Sequence, residues 1–158
     1  LMLQDGQAHL CHVGDSRCYR IRPRDGRVEQ WSRDQNVAAE LVEQGVLTAG
    51  EARHHRASHT LTQAVGLGKP LEPQCASVTL ATDEAELFLL CSDGLLRVFS
   101  DEEIRRILLE RIAAGERSAP EEPAAEVQVV GAVRDLVTLG NRRGSPDNIS
   151  VVLLHLRP

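Results

Sequence analysis

Aromatic side chains are nearly absent. One Trp, one Tyr and two Phe make up 3% of the 158 residues, so any core must be built from Leu, Val, Ile and Ala. Hydrophobic residues still reach 42%, enough for a proper core, and the length suits one domain. No excess of basic charge is present, since the net charge is -5. The basic stripe that would neutralise nucleic-acid phosphates is therefore missing, which argues against nucleic acid as a partner. A single phosphate on a protein would need only local positive charge. No apolar run approaches the ~20 residues that span a bilayer, and no secretory leader is read. The cysteines, Cys11, Cys18, Cys75 and Cys91, form no C-x-x-C pair, which argues against a zinc knuckle. Three of them fall in strand-like apolar stretches. The expectation is reduced core thiols in a cytoplasmic protein.

What is present alternates between strand and helix signals. Residues 8–13 (AHLCHV), 17–22 (RCYRIR) and 27–31 (RVEQW) read as strands. Asp25-Gly26 is a two-residue hairpin signal, and the three strands are expected to form an antiparallel meander. Residues 36–45 have helical spacing closed by Gly45. TAGE at 48–51 is a capping box that starts a short helix, and LTQAVG at 61–66 reads as a further helical turn. Strands resume at 75–82 and in LFLLC at 87–91, the latter apolar on both faces and suited to a central position. SDEE at 100–103 is a second capping box, opening a helix with Ile104, Ile107, Leu108 and Ile112 facing inward. Residues 115–123 read as a polar loop. A helix over 124–139 is expected to bury Val130, Val133 and Val137. GNRRGSPDN is a loop, and ISVVLLHL is the last strand. Hairpins predominate, so the sheets should be mostly antiparallel with helices covering them.

Three aspartates sit where strands begin or end. Asp15 follows the strand ending at Val13, Asp93 follows LFLLC, and Asp147 precedes the strand starting at Ile149. If the last two strands pair antiparallel, Asp93 and Asp147 meet at one edge. Asp15 joins them if its strand runs parallel to residues 87–91. Carboxylates gathered in this way repel one another and call for a cation. All-oxygen donors suit Mg2+ or Mn2+ better than zinc. Two such ions about 4 Å apart can make a nucleophile of a water, and the natural reaction is phosphate-ester hydrolysis. Asp-Gly, Gly-Asp-Ser and Pro-Asp-Asn are also ordinary turn sequences, so the pattern alone leaves turn and ligand both open.

VGDSRCYRI, LTQAVG, LFLLCSDGL and PDNISVVLL occur in the order and approximate spacing of the metal-dependent serine/threonine protein phosphatases of type 2C, the PPM family, and the chain resembles the bacterial style of that family. The resemblance covers residues 3–156. It implies an α+β fold, a four-layer sandwich of two antiparallel sheets flanked by helices. The chain would be the C-terminal two-thirds of one such domain over 1–158, incomplete at its N-terminus, with a flap-like segment at about 34–59. It implies that Asp93 and Asp147 are ligands of a binuclear Mn2+ or Mg2+ centre, and that Asp15 helps hold a weaker third ion. The activity implied is attack of a metal-activated water on phosphoserine or phosphothreonine in a protein, the target of a serine/threonine kinase. No nucleic acid and no membrane segment enter this picture. Cys91, Ser16 and Ser92 are then packing residues, not nucleophiles.

Several departures from the family pattern carry their own expectations. The early segment that normally supplies an acidic residue, the metal-bridging Asp of an Asp-Gly motif and a phosphate-gripping Arg has no counterpart. The chain alone is expected to bind metal weakly and to be weakly active or inactive. Leu96 and Arg97 stand where another Asp usually follows SDGL, which should weaken a third ion. The flap begins Asp34-Gln35, not Asp-His, and Arg56 replaces its usual Pro. His54, His55 and His59 are read as solvated or hydrogen-bonded, not as ligands. An alternative is a regulatory or protein-binding module of the same fold that has lost catalysis. A stress- or sporulation-type regulator phosphatase is a third, and the flap speaks against it.

Overall fold

The computed structural model describes residues 1–68, 70–116 and 124–157. Two compact units emerge, Leu1–Ser16 with Ser32–Leu80, and Arg17–Trp31 with Ala81–Pro158. Every strand pairing is antiparallel, as the hairpin-rich sequence predicts.

The first unit holds a three-stranded sheet of β1 (Met2–Gln4), β2 (Gln7–His12) and β5 (Gln74–Thr79), in the order β1-β2-β5. Asp5 and Gly6 both adopt positive φ, 50° and 71°, and Gln4 pairs with Gln7. That is the geometry of a two-residue hairpin turn. The Asp-Gly hairpin signal is thus realised here, not at Asp25-Gly26. There, Pro23–Asp25 forms a 3-10 turn capped by left-handed Gly26, and the loop between paired Arg22 and Arg27 is four residues long. The rest of the unit is helical: α1 (Val37–Glu43) is capped by Asn36, and α2 (Ala49–His54) by the Thr48–Glu51 capping box. Residues 61–66 bend without forming the expected helical turn, and Gly66 has φ 92°.

The second unit holds a four-stranded sheet in the order β4-β3-β6-β7, from β3 (Arg17–Arg22), β4 (Arg27–Gln30), β6 (Glu86–Cys91) and β7 (Val151–Leu156). The expected meander is therefore wrong in one link. Strands β2 and β3 belong to different sheets, and the Gly14-Asp15 turn leads from one sheet to the other, not around a hairpin. LFLLC is central, as its two-sided apolar character requires. Leu87, Leu89 and Cys91 point to one face, where they join Tyr19, Ile21, Ile104, Leu108 and Leu136 in a single core.

That core is completed by α4 (Asp101–Glu116) and α5 (Ala124–Arg142). Of the expected 115–123 loop, residues 115 and 116 continue α4 and 117–123 lie outside the described residues. On α5 the buried positions among those described are Ala132, Leu136 and Gly140, Val133 and Val137 are half-buried, and Val130 is 49% exposed. The buried stripe is thus one residue from the expected Val133 and Val137, which lie at its margin, and Val130 falls outside it. Ser100 and Glu103 close the second capping box, Glu103 N donating to Ser100 Oγ at 3.1 Å and Ser100 N to Glu103 Oε2 at 2.8 Å. Ser100→Ala is expected to cost about 1 kcal/mol, read as a lower urea midpoint with an unchanged slope.

Burial separates the cysteines two and two. Cys18 and Cys91 are core residues, but Cys11 and Cys75 are exposed. Period-two alternation places Ala8 and Leu10 of β2 inward, which turns Cys11 outward, and the same alternation turns Cys75 out of β5. The expectation of core thiols holds for one pair only.

Candidate metal centre

β6 ends at Cys91 opposite Val151, the first residue of β7. The segments beyond this pair must therefore lie side by side. Ser92 stitches them: its N donates to Ser150 O at 3.0 Å, Ser150 N donates back to its Oγ at 3.0 Å, and that hydroxyl donates to Asn148 O at 3.0 Å. From the other segment, Ser145 Oγ donates to Gly94 O at 2.8 Å. Gly94 is buried. A Cβ placed on it would lie 2.3 Å from Asn148 O and 3.3 Å from the Asp147 carbonyl carbon. The backbones of Ser92-Asp93-Gly94 and Asp147-Asn148 are thus in direct contact, and Asp93 and Asp147 share one edge of the second unit.

Asp93 opens a short helix, α3 (Asp93–Leu96), and its side chain is 30% exposed. Its Oδ2 accepts a hydrogen bond from Arg97 NH2 at 2.8 Å, one helical turn on. Asp147 is exposed, with Oδ1 accepting from Asn148 N at 2.7 Å. It borders an open polar cleft lined by Asn141, Ser145, Pro146, Asn148 and Ile149. Arg143 anchors this loop from the end of α5: it donates to Val98 O at 2.8 Å, pairs with Glu103 at 2.9 Å and lies 4.3 Å above the Phe99 ring. Gly140 permits the close approach of Ile149, whose Cδ1 would be 2.4 Å from an added Cβ.

Asp15 belongs to the first unit, in the turn after β2. The strand before it, β2, pairs with β1 and β5 in the sheet of the first unit. Its turn is fixed locally: Gly14 N donates to Gln35 Oε1 at 2.8 Å, Gln35 N to Gly14 O at 2.9 Å, and Gln35 Nε2 to Glu72 O at 2.9 Å. Gln35 thus couples this turn to the start of residues 34–59. Among the described residues, no three His, Cys, Asp or Glu side chains are grouped closely enough to enclose a metal. His55 accepts from Ala57 N, in keeping with a hydrogen-bonded histidine. Two carboxylates on apposed segments fit part of an oxygen donor set for a hard cation. They do not complete one, and Arg97 already neutralises one of them.

Comparison with known proteins bears on the family. No protein-family model matches the chain. The protein phosphatase PhpP of Streptococcus pneumoniae is 31% identical over 156 residues, covering 99% of this chain and 56% of that protein. The crystal structure of the Mycobacterium tuberculosis serine/threonine phosphatase PstP superposes with a TM-score of 0.76 at 29% identity, covering 98% of this chain and 56% of that one. The chain belongs to the type 2C family of protein phosphatases. It spans a little over half the length of the relatives it matches. A PstP catalytic domain in complex with two manganese ions is also similar, at 28% identity and a TM-score of 0.69, over 98% of this chain and 55% of that one.

Within this type 2C chain, burial pushes the Cys91 thiol up to about 12 and Cys18 up to about 11. Both are protonated at neutral pH, as packing cysteines should be. Sequence reasoning found both aspartates of the shared edge but missed the groups that hold them there, Ser145 and Arg143. Their roles depend on contacts with residues about 40 to 50 positions away. Only the Ser-Pro-Asp turn pattern hints at the first.

Proposed function

We propose that this chain is the metal-holding C-terminal portion of a protein serine/threonine phosphatase that hydrolyses phosphoserine and phosphothreonine. The observation that carries the reading is the backbone contact of Gly94 with Asn148, which puts Asp93 and Asp147 on one edge. In this reading both are ligands of Mn2+ or Mg2+, with Asp15 holding a further, weaker ion, and residues 34–59 form the flap that meets the substrate. The bound ions would supply charge neutralisation and activation of water. The chain's own part is to hold the carboxylates rigidly: Ser92 and Ser145 fix the two segments, and Arg143 anchors the loop of Asp147. The substrate is a phosphorylated protein, the target of a serine/threonine kinase, and the setting is the cytoplasm.

The test is hydrolysis of a phosphothreonine peptide by the full gene product with and without Mn2+, together with Mn2+ titration calorimetry. Asp93→Asn is expected to weaken Mn2+ binding about tenfold or more, by analogy with the 10–100-fold cost of disturbing metal-site partners, and to remove Mn2+-dependent hydrolysis, while the circular dichroism spectrum stays unchanged. Undiminished Mn2+ binding by the variant would exclude Asp93 as a ligand.

A second reading has its own observation. Arg97 reaches the Asp93 carboxylate at 2.8 Å, so a cation of the chain itself occupies one ligand oxygen, which suits a regulatory module that has given up catalysis. Arg97→Ala discriminates the two. If the native protein hydrolyses the peptide with Mn2+, the enzyme reading stands. If only the variant binds Mn2+, the regulatory reading replaces it.

A further inference from the structure

The exposed cysteines face each other across the sheet of the first unit. Cys11 on β2 is the register partner of Cys75 on β5, and the two Sγ atoms are 2.8 Å apart. The ladder also fixes which kind of pair this is. Leu80 N donates to Gly6 O at 2.9 Å, and Gly6 lies opposite Leu80 when the register of Gln7 with Thr79 is extended by one. Hydrogen-bonded and non-hydrogen-bonded pairs alternate along an antiparallel ladder. Counting from Gly6 and Leu80, the pair Cys11 and Cys75 falls at a non-hydrogen-bonded position. Such pairs have Cα atoms roughly 4.5 Å apart and the closer side chains, within the roughly 4.4–6.8 Å that a disulfide spans. The neighbouring non-hydrogen-bonded pair shows the same closeness, with His9 Nδ1 and Ser77 Oγ at 2.8 Å.

We propose that Cys11 and Cys75 form a reversible cross-strand disulfide that clamps β2 to β5 beneath the turn carrying Asp15. The oxidant is a hydroperoxide. The Cys11 thiolate attacks the peroxide oxygen, the O–O bond breaks, and Cys11 becomes a sulfenic acid. The Cys75 sulfur then attacks the Cys11 sulfur, the S–S bond forms, the S–O bond breaks and water leaves. In sum, two thiols lose two protons and two electrons, and hydrogen peroxide is reduced to two waters. The hydrogen bond between the sulfurs raises the pKa of Cys75, and the balance is the same whichever sulfur reacts first. Exposure matters as well: Cys18 and Cys91 are buried and held protonated, so they are spared.

The clamp lies next to bonds that tie the ends of β2 and β5 to each other and to residue 33. His12 Nε2 donates to Gln74 Oε1 at 2.7 Å, and the same oxygen accepts Arg33 N at 2.6 Å. Closing a loop across 64 positions restricts the unfolded chain, and a rise in Tm on the order of ten degrees is expected. This inference does not depend on the phosphatase reading.

The experiment is hydrogen peroxide treatment of the intact chain at neutral pH, followed by intact mass, non-reducing peptide mapping and a thermal melt. Loss of two hydrogens, a single Cys11–Cys75 linked peptide, a higher Tm, and reversal of all three by dithiothreitol are expected. Cys11→Ser and Cys75→Ser should each abolish the linked peptide and the Tm shift. Overoxidation of both exposed cysteines without a link, links between chains, or links through Cys18 or Cys91 would overturn the assignment. A linked peptide with an unchanged Tm would overturn the clamp.

Discussion

Glu86→Gln is expected to destabilise the protein by about 3–5 kcal/mol, the cost of leaving one partner of a buried ion pair alone. Glu86 opens β6 with a side chain only 1% exposed. It accepts Arg20 Nε at 2.7 Å and NH2 at 2.8 Å, a two-pronged grip, and its Oε1 also accepts Ala81 N at 2.9 Å. Arg20 sits opposite Phe88 in the register, so the pair is diagonal across the β3–β6 ladder, on the sheet face away from the aliphatic core. Glutamine keeps the shape but leaves the guanidinium half paired in a place it cannot leave. The hydrogen bonds from Arg20, opposed by burial and aided by Ala81, hold the Glu86 carboxyl below its ordinary value of 4.5. A depressed folded-state pKa contributes stability that is complete above the unfolded value and disappears as pH falls through the folded one. The stability lost in the variant should therefore be constant near neutral pH and shrink in acid below pH 4.5. Urea unfolding at pH 7 and pH 3 measures both. Glu29→Gln is the comparison: its pair with Arg22 is exposed and should matter by less than about 1 kcal/mol.

Local chemistry made much of the fold legible. Both capping boxes, the Asn36 helix start and the two-sided apolar strand β6 are written in residues that act on their immediate neighbours, and each formed where the sequence places it. What local chemistry does not carry is the choice of pairing partner. The turn after β2 is as short as a hairpin, yet β3 pairs with β6, more than sixty residues away. Glu86 was invisible for the same reason. An acid at the head of an apolar run reads as a strand boundary until a distant arginine is known to meet it. The inward face of α5 was misjudged at Val130 because apolar spacing fixes a helix face only to within about one residue, and Ala132 and Leu136 centre it.

The edge that carries Asp93 and Asp147 was legible in part. Antiparallel pairing of the last two strands is sufficient to bring the ends together, and that pairing follows from two strong strand signals. The grip of Arg97 on Asp93 could be read only as a misplaced charge. Four residues of spacing on a helix made the contact geometrically available, but a helix of four residues could not be read from SDGLLR.

Gly94→Ala is the sharpest test of that edge, because two effects of opposite sign compete. Gly94 lies in α3 at ordinary negative φ, where alanine favours the helix by about 1 kcal/mol. Against this stands the 2.3 Å approach of the new Cβ to Asn148 O. That atom is backbone, already held by Ser92 Oγ, and cannot swing aside as a side chain would. Overpacking of this kind costs about 1–3 kcal/mol or more, and a gap that must open by roughly 1 Å to reach ordinary contact distance belongs at the upper end. The contact should win, and Gly94→Ala should lower stability by about 2 kcal/mol net. The Asp147 segment, forced off Gly94, should also lose Mn2+ binding. Gly50 on α2 has open space around it, so Gly50→Ala should show the propensity effect alone, a gain of about 0.5–1 kcal/mol. Urea midpoints of the two variants that move in opposite directions would establish the contact between the Asp93 and Asp147 segments. Two gains would mean that the segments are not in contact, and the shared edge on which the metal reading rests would be lost with it.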